Sequence, residues 1–78
     1  MKNLDEILRV ISESKETCME AIHKCNALNN QMYAILVRTP DDEEISKKVS
    51  STAKLSDSAH TLLSNMAEEL QSLEDDLN

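Results

Sequence analysis

Residues 37–44 read Val-Arg-Thr-Pro-Asp-Asp-Glu-Glu and separate two long stretches of heptad-patterned sequence. Pro40 disfavours helical geometry at the residue before it, so we expect a first helix to end near Val37 or Arg38. Thr39 is expected to cap a second helix, with Pro40 at its first position and Asp42 at its third. The sequence therefore predicts a turn at residues 38–40, which is short enough to make the two helices antiparallel neighbours.

The stretch before this turn is predicted to form a helix over residues 3–37. Its apolar residues recur in alternating steps of three and four, the spacing of a helix that packs along one stripe against another helix. Row a is Leu4, Ile11, Cys18, Cys25 and Met32, and row d is Ile7, Ser14, Ala21, Leu28 and Ile35. Nine of these ten residues are apolar, Ser14 being the exception, so the pattern strongly favours helix–helix packing.

The stretch after the turn is predicted to form a second helix over residues 40–76. Its row a is Val49, Ser56, Leu63, Leu70 and Leu77, and its row d is Ile45, Thr52, Ala59, Met66 and Leu73. Small or polar residues lie in the middle of both helices. We expect these two stretches of small side chains to face each other in the hairpin. We therefore predict an all-α fold: residues 1–78 form one antiparallel, coiled-coil-like two-helix hairpin that completes a helical bundle with a partner or a second copy.

Composition supports an all-α fold, and charge excludes some classes of partner. The 78 residues contain no Gly, Trp or Phe, whereas β-rich folds favour aromatic residues and need Gly in their turns. The net charge is −7; residues 1–38 are balanced, and residues 39–78 carry three basic and ten acidic side chains. An acidic chain repels phosphate and anionic lipid, so neither nucleic acid nor a membrane is expected as a partner. Neither a membrane span nor a secretory signal is recognisable, and we expect a cytoplasmic protein.

Residue types that support catalysis are sparse and poorly placed. Cys18 and Cys25 would lie ~10.5 Å apart along one helix, too far for a disulfide, and are expected to pack as small hydrophobic side chains. His23 is predicted to face solvent and His60 to lie at the edge of the seam, neither with a nucleophile beside it. Without Gly there is no glycine-rich phosphate loop. We therefore expect no enzyme activity and no catalytic, cofactor-binding or metal site.

Apolar residues outside rows a and d indicate a further partner. Row e, one residue after row d, adds Leu8, Ile22 and Leu36 on the first helix, while Leu55 and Leu62 lie beside the seam on the second helix. A two-helix seam would leave much of this surface exposed, and two packed helices alone are marginal in water. We expect these residues to bind a different helical protein or a second copy of the chain.

Residues 59–70 carry a resemblance to a known family. They read Ala-His-Thr-Leu-Leu-Ser-Asn-Met-Ala-Glu-Glu-Leu, an A-x-x-[IL]-[IL]-x-x-[VM]-A-x-[DE]-L run. This run resembles the C-terminal helix of the small co-chaperones of type III secretion needle subunits. The opening Leu-Asp-Glu-Ile-Leu at residues 4–8 is similar to the start of the same family.

The resemblance implies a role in protein transport. Members of that family are cytosolic helical hairpins that bind a helical-repeat chaperone. The two together keep the self-polymerising needle subunit soluble until export. By this resemblance the contact residues lie on the second helix, at Leu55, Leu62, Leu63, Met66 and Leu70.

Two other functions stay open. A secreted hairpin of the type VII kind would carry a Trp-x-Gly turn, where this chain has Thr39-Pro40-Asp41. A structural subunit of a helical assembly, such as a tether or a four-helix complex, would need only the apolar rows described above. In each case the same seam serves a homodimer or a heterodimer.

Overall fold

The computed structural model describes residues 3–78 as two long helices joined by a short turn. Helix α1 spans Leu4–Arg38 and helix α2 spans Glu43–Leu77. The molecule measures 61 × 14 × 12 Å, the shape of two helices lying side by side. The predicted all-α hairpin is confirmed. The bounds predicted for α1 differ by one residue at each end, whereas α2 begins three residues later than predicted.

Polar contacts between the helices establish that they run antiparallel. Lys15 Nζ lies 3.0 Å from a carboxylate oxygen of Glu74, near the open end of the hairpin. Closer to the turn, Asn29 Nδ2 donates to Asp57 Oδ1 at 3.1 Å. The residue number rises along α1 as the number of its neighbour falls along α2, as an antiparallel pair requires.

The second helix is capped by a different residue from the one predicted. Asp42, in extended geometry, is the N-cap of α2, and its Oδ1 accepts the backbone N–H of Ile45 at 3.0 Å. Thr39 instead lies against the end of α1, where its hydroxyl donates to the carbonyl of Ile35 at 2.9 Å. Pro40 consequently lies in the turn rather than at the first helical position. Aspartate accepts the N-terminal N–H of a helix at least as well as threonine, and its charge also favours the positive end of the helix.

The seam between the helices follows rows a and e, so the prediction is confirmed for row a and corrected for row d, part of which is exposed. Every residue of row a is buried or partly buried in both helices. The same holds for row e, which is Leu8, Lys15, Ile22, Asn29 and Leu36 on α1 and Ser46, Ala53, His60, Ala67 and Glu74 on α2. In row d, by contrast, Ile35, Thr52, Met66 and Leu73 are exposed, and the other six residues are partly buried. The hairpin is therefore rotated toward row e relative to the prediction.

Small residues on α2 explain why the seam runs along row e. Ser56 of row a lies between Ala53 and His60 of row e, and the short side chains of Ser56 and Ala53 let the backbone of α1 approach closely. The Ser56 hydroxyl reaches across to the backbone carbonyl of Cys25, at 3.3 Å. A seam along row d would instead have to accommodate Met66 and Leu73, which are too bulky for such an approach.

The stretches of small residues in the two helices are offset along the hairpin rather than centred on each other as predicted. Ser14, Cys18 and Ala21 of α1 lie opposite Leu63 and other large residues of α2, while the buried Ser56 lies opposite Cys25. The buried Ser56 at the centre of the α2 stretch is therefore level with Cys25, seven residues beyond Cys18 at the centre of the α1 stretch. The predicted burial of the cysteines is confirmed for Cys18, which is 5% exposed, whereas Cys25 is partly buried; both thiols are free.

Candidate helix-docking face

Rows d and g of both helices form one side of the hairpin, because they lie on the same side of the a/e seam in an antiparallel pair. Row g is the row that precedes row a by one residue. We call this side the open face, defined by Val10, Ser14, Thr17, Ala21, Leu55, Leu62, Met66 and Leu73. Its large side chains are well exposed: Leu55 is 70% exposed, Leu62 64%, Met66 54% and Leu73 45%.

A groove of about 800 Å³ lies in the open face between the two helices. Its α1 wall is built from small residues, with Ser14, Thr17 and Ala21 around the Cys18 side chain. Its α2 wall is built from the large apolar residues Leu62, Leu63, Met66 and Leu70, together with Asn65 and Glu69. Short side chains on one wall and long ones on the other leave a channel in which the side chains of another helix can fit.

The opposite side of the hairpin, formed by rows b and e, is held by polar contacts. Row b is the row that follows row a. Lys15 bridges to α2 twice, to Glu74 at 3.0 Å and to the side-chain oxygen of Gln71 at 3.1 Å. The Asn29–Asp57 hydrogen bond forms a second link nearer the turn. This polar face therefore joins α1 to α2 and leaves the open face as the more apolar side.

The eight residues predicted to bind a partner divide between these two sides. Leu55, Leu62, Leu63, Met66 and Leu70 all lie on the open face or line its groove. Leu8, Ile22 and Leu36 are partly buried in row e, which faces α2. The structure thus gathers the α2 residues into one surface and places the three α1 residues in the seam of the hairpin.

The α1 wall of the groove was not predicted. Ser14, Thr17 and Ala21 carry little apolar surface, and the heptad pattern alone assigned Ser14 and Ala21 to the internal seam. The available signal was the contrast between the helices, because the middle of row d is small on α1 while row g of α2 holds Leu55 and Leu62. Small residues facing large ones indicate a groove only after the orientation of both helices is known.

Few features of residues 3–78 suggest chemistry. Within this part of the chain no group of three or more His, Cys, Asp or Glu side chains is arranged to hold a metal ion. His23 is exposed, while His60 is partly buried in row e. Neither described helix is long and apolar enough to cross a membrane.

Comparison with family models, with curated proteins and with solved structures returned no match. The open face is therefore the feature from which a function can be inferred.

Proposed function

We propose that this chain is a non-enzymatic protein-binding subunit that packs the open face of its hairpin against helices of another protein. The observation that carries this proposal is the exposure of Leu55, Leu62, Met66 and Leu73 in one continuous stripe beside an apolar groove. Monomeric proteins seldom expose contiguous apolar surface of this kind unless it is a binding site.

The hairpin also has little core of its own. Among residues 3–78 the buried apolar residues are Ile11, Cys18 and Val49, and no large side chain is fully buried. Burying a large aliphatic side chain contributes about 1.5–3 kcal/mol, so covering the exposed stripe would add several such increments to a thin core. Binding and folding stability are therefore linked, because a partner that covers the open face stabilises the folded hairpin.

The stripe has the spacing that a partner helix requires. Leu55, Leu62 and Met66 recur at steps of seven and four, so they lie on one face of α2. A helix with apolar residues at matching intervals can lie along the groove, with its side chains between these residues and the small wall of α1. The partner we propose is accordingly a helical protein with an amphipathic surface.

The specific role we propose is that of a co-chaperone for a type III secretion needle subunit. The resemblance that suggests it spans residues 59–70, and four of the groove-lining residues, Leu62, Leu63, Met66 and Leu70, fall within that run. In this role the hairpin binds a helical-repeat chaperone in the cytoplasm. The complex then keeps an aggregation-prone helical subunit soluble.

Tagged purification from the native host tests this function directly. We expect a helical-repeat protein and a small polymerising subunit to be recovered in stoichiometric amounts. Recovery of the tagged chain alone, whether monomeric or self-associated, would refute the co-chaperone role. Recovery of a different helical protein would support the docking function of the open face but refute the co-chaperone role.

A matched pair of substitutions tests the docking face. Met66→Glu places a charge on the open face, where Met66 is 54% exposed. Met19→Glu makes the same change at a side chain that is 49% exposed on row b, outside the open face. We expect the first variant to lose the partner and the second to retain it, both remaining helical by circular dichroism. Equal recovery with the two variants would exclude the open face as the binding site.

A further inference from the structure

The hairpin collects the whole net charge of the chain at one end. The half nearest the turn, residues 22–60, contains five basic and five acidic side chains. The remaining residues, 1–21 and 61–78, contain three basic and ten acidic ones and so account for the entire charge of −7. Because the two helices are antiparallel, the described residues of these segments, 3–21 and 61–78, lie together at the open end, opposite a neutral turn end.

The open face carries the same polarity in its charged residues. Row d contains none in either helix. Row g contains three basic residues in the turn half, Lys24, Arg38 and Lys48, and two acidic residues in the open half, Glu69 and Asp76. An apolar stripe with basic residues toward one end and acidic residues toward the other is complementary to a copy of itself turned end for end.

We propose that a second copy of this chain covers the open face, with the turn of each hairpin lying over the open end of the other. The proposal uses the docking face of the proposed function and assigns it a further occupant, the one present when the partner protein is absent. The product is a symmetric four-helix bundle in which each α2 packs against the other α2.

Residue positions along α2 match this arrangement. Lys48 and Asp76 lie fourteen residues on either side of Leu62, all three in row g. Antiparallel pairing of the two α2 helices about Leu62 therefore brings Lys48 of each copy toward Asp76 of the other. The reverse arrangement, with both turns at the same end, would bring the three basic residues of each copy together and also the two acidic ends.

Shape and area also suit a second copy. The hairpin presents a side of 61 by 14 Å, a footprint of roughly 850 Å², close to the ~800 Å² per partner of a standard stable interface. The short side chains of Ser14, Thr17 and Ala21 leave space in the centre of such a bundle. Leu62 and Met66 of both copies would fill that space.

Two measurements on the purified chain test the proposal. Sedimentation equilibrium at micromolar concentration should give a dimer. A spin label at Asp41→Cys, in the turn of a Cys18→Ala, Cys25→Ala background checked for helicity, should report a turn-to-turn distance close to the 61 Å length of the hairpin. A distance under about 20 Å would overturn the end-for-end arrangement, since packed helices lie only 8–10 Å apart. A monomer throughout would overturn the dimer.

Charge exchange supplies an independent test with its own control. Lys48→Glu should weaken the dimer about tenfold, because two-fold symmetry introduces the repulsion twice, and adding Asp76→Lys should restore the affinity. Lys47→Glu changes the charge by the same amount outside the open face and should have little effect. Equal weakening by Lys47→Glu, or no rescue by the double change, would refute the pairing.

The outcomes also separate this inference from the proposed function. If the chain is a monomer and recovers a host protein that the Met66→Glu variant loses, the homodimer is refuted and the docking function is retained. A dimer that recovers no host protein would retain the homodimer and refute the co-chaperone role. Should Leu62→Glu leave the dimer intact while helicity is unchanged, the open face would be excluded as the dimer interface.

Discussion

The hydroxyl of Ser56 lies 3.3 Å from the backbone carbonyl oxygen of Cys25, so a side chain of α2 bonds the main chain of α1 near the middle of the hairpin. A side chain as short as serine can make this bond only where the two helices approach closely. Ser56 is 5% exposed, as buried as the apolar residues of the core. This contact fixes which rows of the two helices face each other, and hence which face is left open.

Enlarging Ser56 should separate the helices. Ser56→Val adds volume to a tightly packed position and removes the hydrogen bond, so we expect a loss of about 1–3 kcal/mol in the free energy of unfolding. Ser58→Val carries the same helix-propensity cost at an exposed position and serves as the control. Urea unfolding followed by circular dichroism gives both values, and equal losses would contradict close packing at Ser56.

The position of the seam predicts which leucine and isoleucine residues stabilise the hairpin. Ile22 is partly buried in row e, so Ile22→Ala should lower the free energy of unfolding by roughly 1–2 kcal/mol. Leu55→Ala, at a side chain that is 70% exposed, should change it by no more than about 0.5 kcal/mol. Both are measured at the lowest concentration at which the chain is folded, so that association does not contribute. The reverse order would contradict the seam along rows a and e.

The hairpin fold could be predicted because it depends on features that can be read directly from the sequence. Heptad spacing on both sides of Pro40, with a short connection, is sufficient for an antiparallel hairpin. The choice between rows d and e was harder, because apolar residues such as Ile7 and Leu8 occupy both rows of α1. The deciding factor was the small size of Ala53 and Ala67 on the other helix, which is a property of the pair. On α2, Leu55 and Leu62 were predicted because they are apolar residues outside rows a and d, whereas Leu63, Met66 and Leu70 were named only from the family resemblance.

The turn illustrates a second limit, because two good capping residues lie three positions apart. Thr39 and Asp42 can each accept a helix N–H, and only the path of the chain around Pro40 selects between them. With Asp42 as the cap, Asp42→Ala should destabilise the hairpin by about 1 kcal/mol. Asp41→Ala removes the same charge from the turn and should have a smaller effect. Unfolding curves for the two variants decide the assignment, and a larger loss at Asp41 would contradict it.

The link between Lys15 and Glu74 should stabilise the open end more than other ion pairs do. Their side chains are 26% and 24% exposed, whereas those of the Arg9–Glu13 pair are both 59% exposed. Exposed pairs contribute little, because water and salt screen them, and a cross-helix pair that is partly desolvated is screened less. Glu74→Gln should therefore lower the free energy of unfolding by roughly 0.5–1 kcal/mol.

Asp75→Asn is the matched control for that change. It also removes an acid from the last turn of α2, where negative charge opposes the helix dipole, so on its own it should be neutral or slightly stabilising. Glu74 pairs with Lys15 directly, whereas Asp75 accepts a hydrogen bond from Gln71 Nε2 at 3.0 Å, so the difference between the two variants reports the direct ion pair. That difference should shrink in 1 M NaCl, where screening acts over ~3 Å. Identical effects of the two substitutions at low salt would show that the helix dipole, rather than the ion pair, determines the stability of this end.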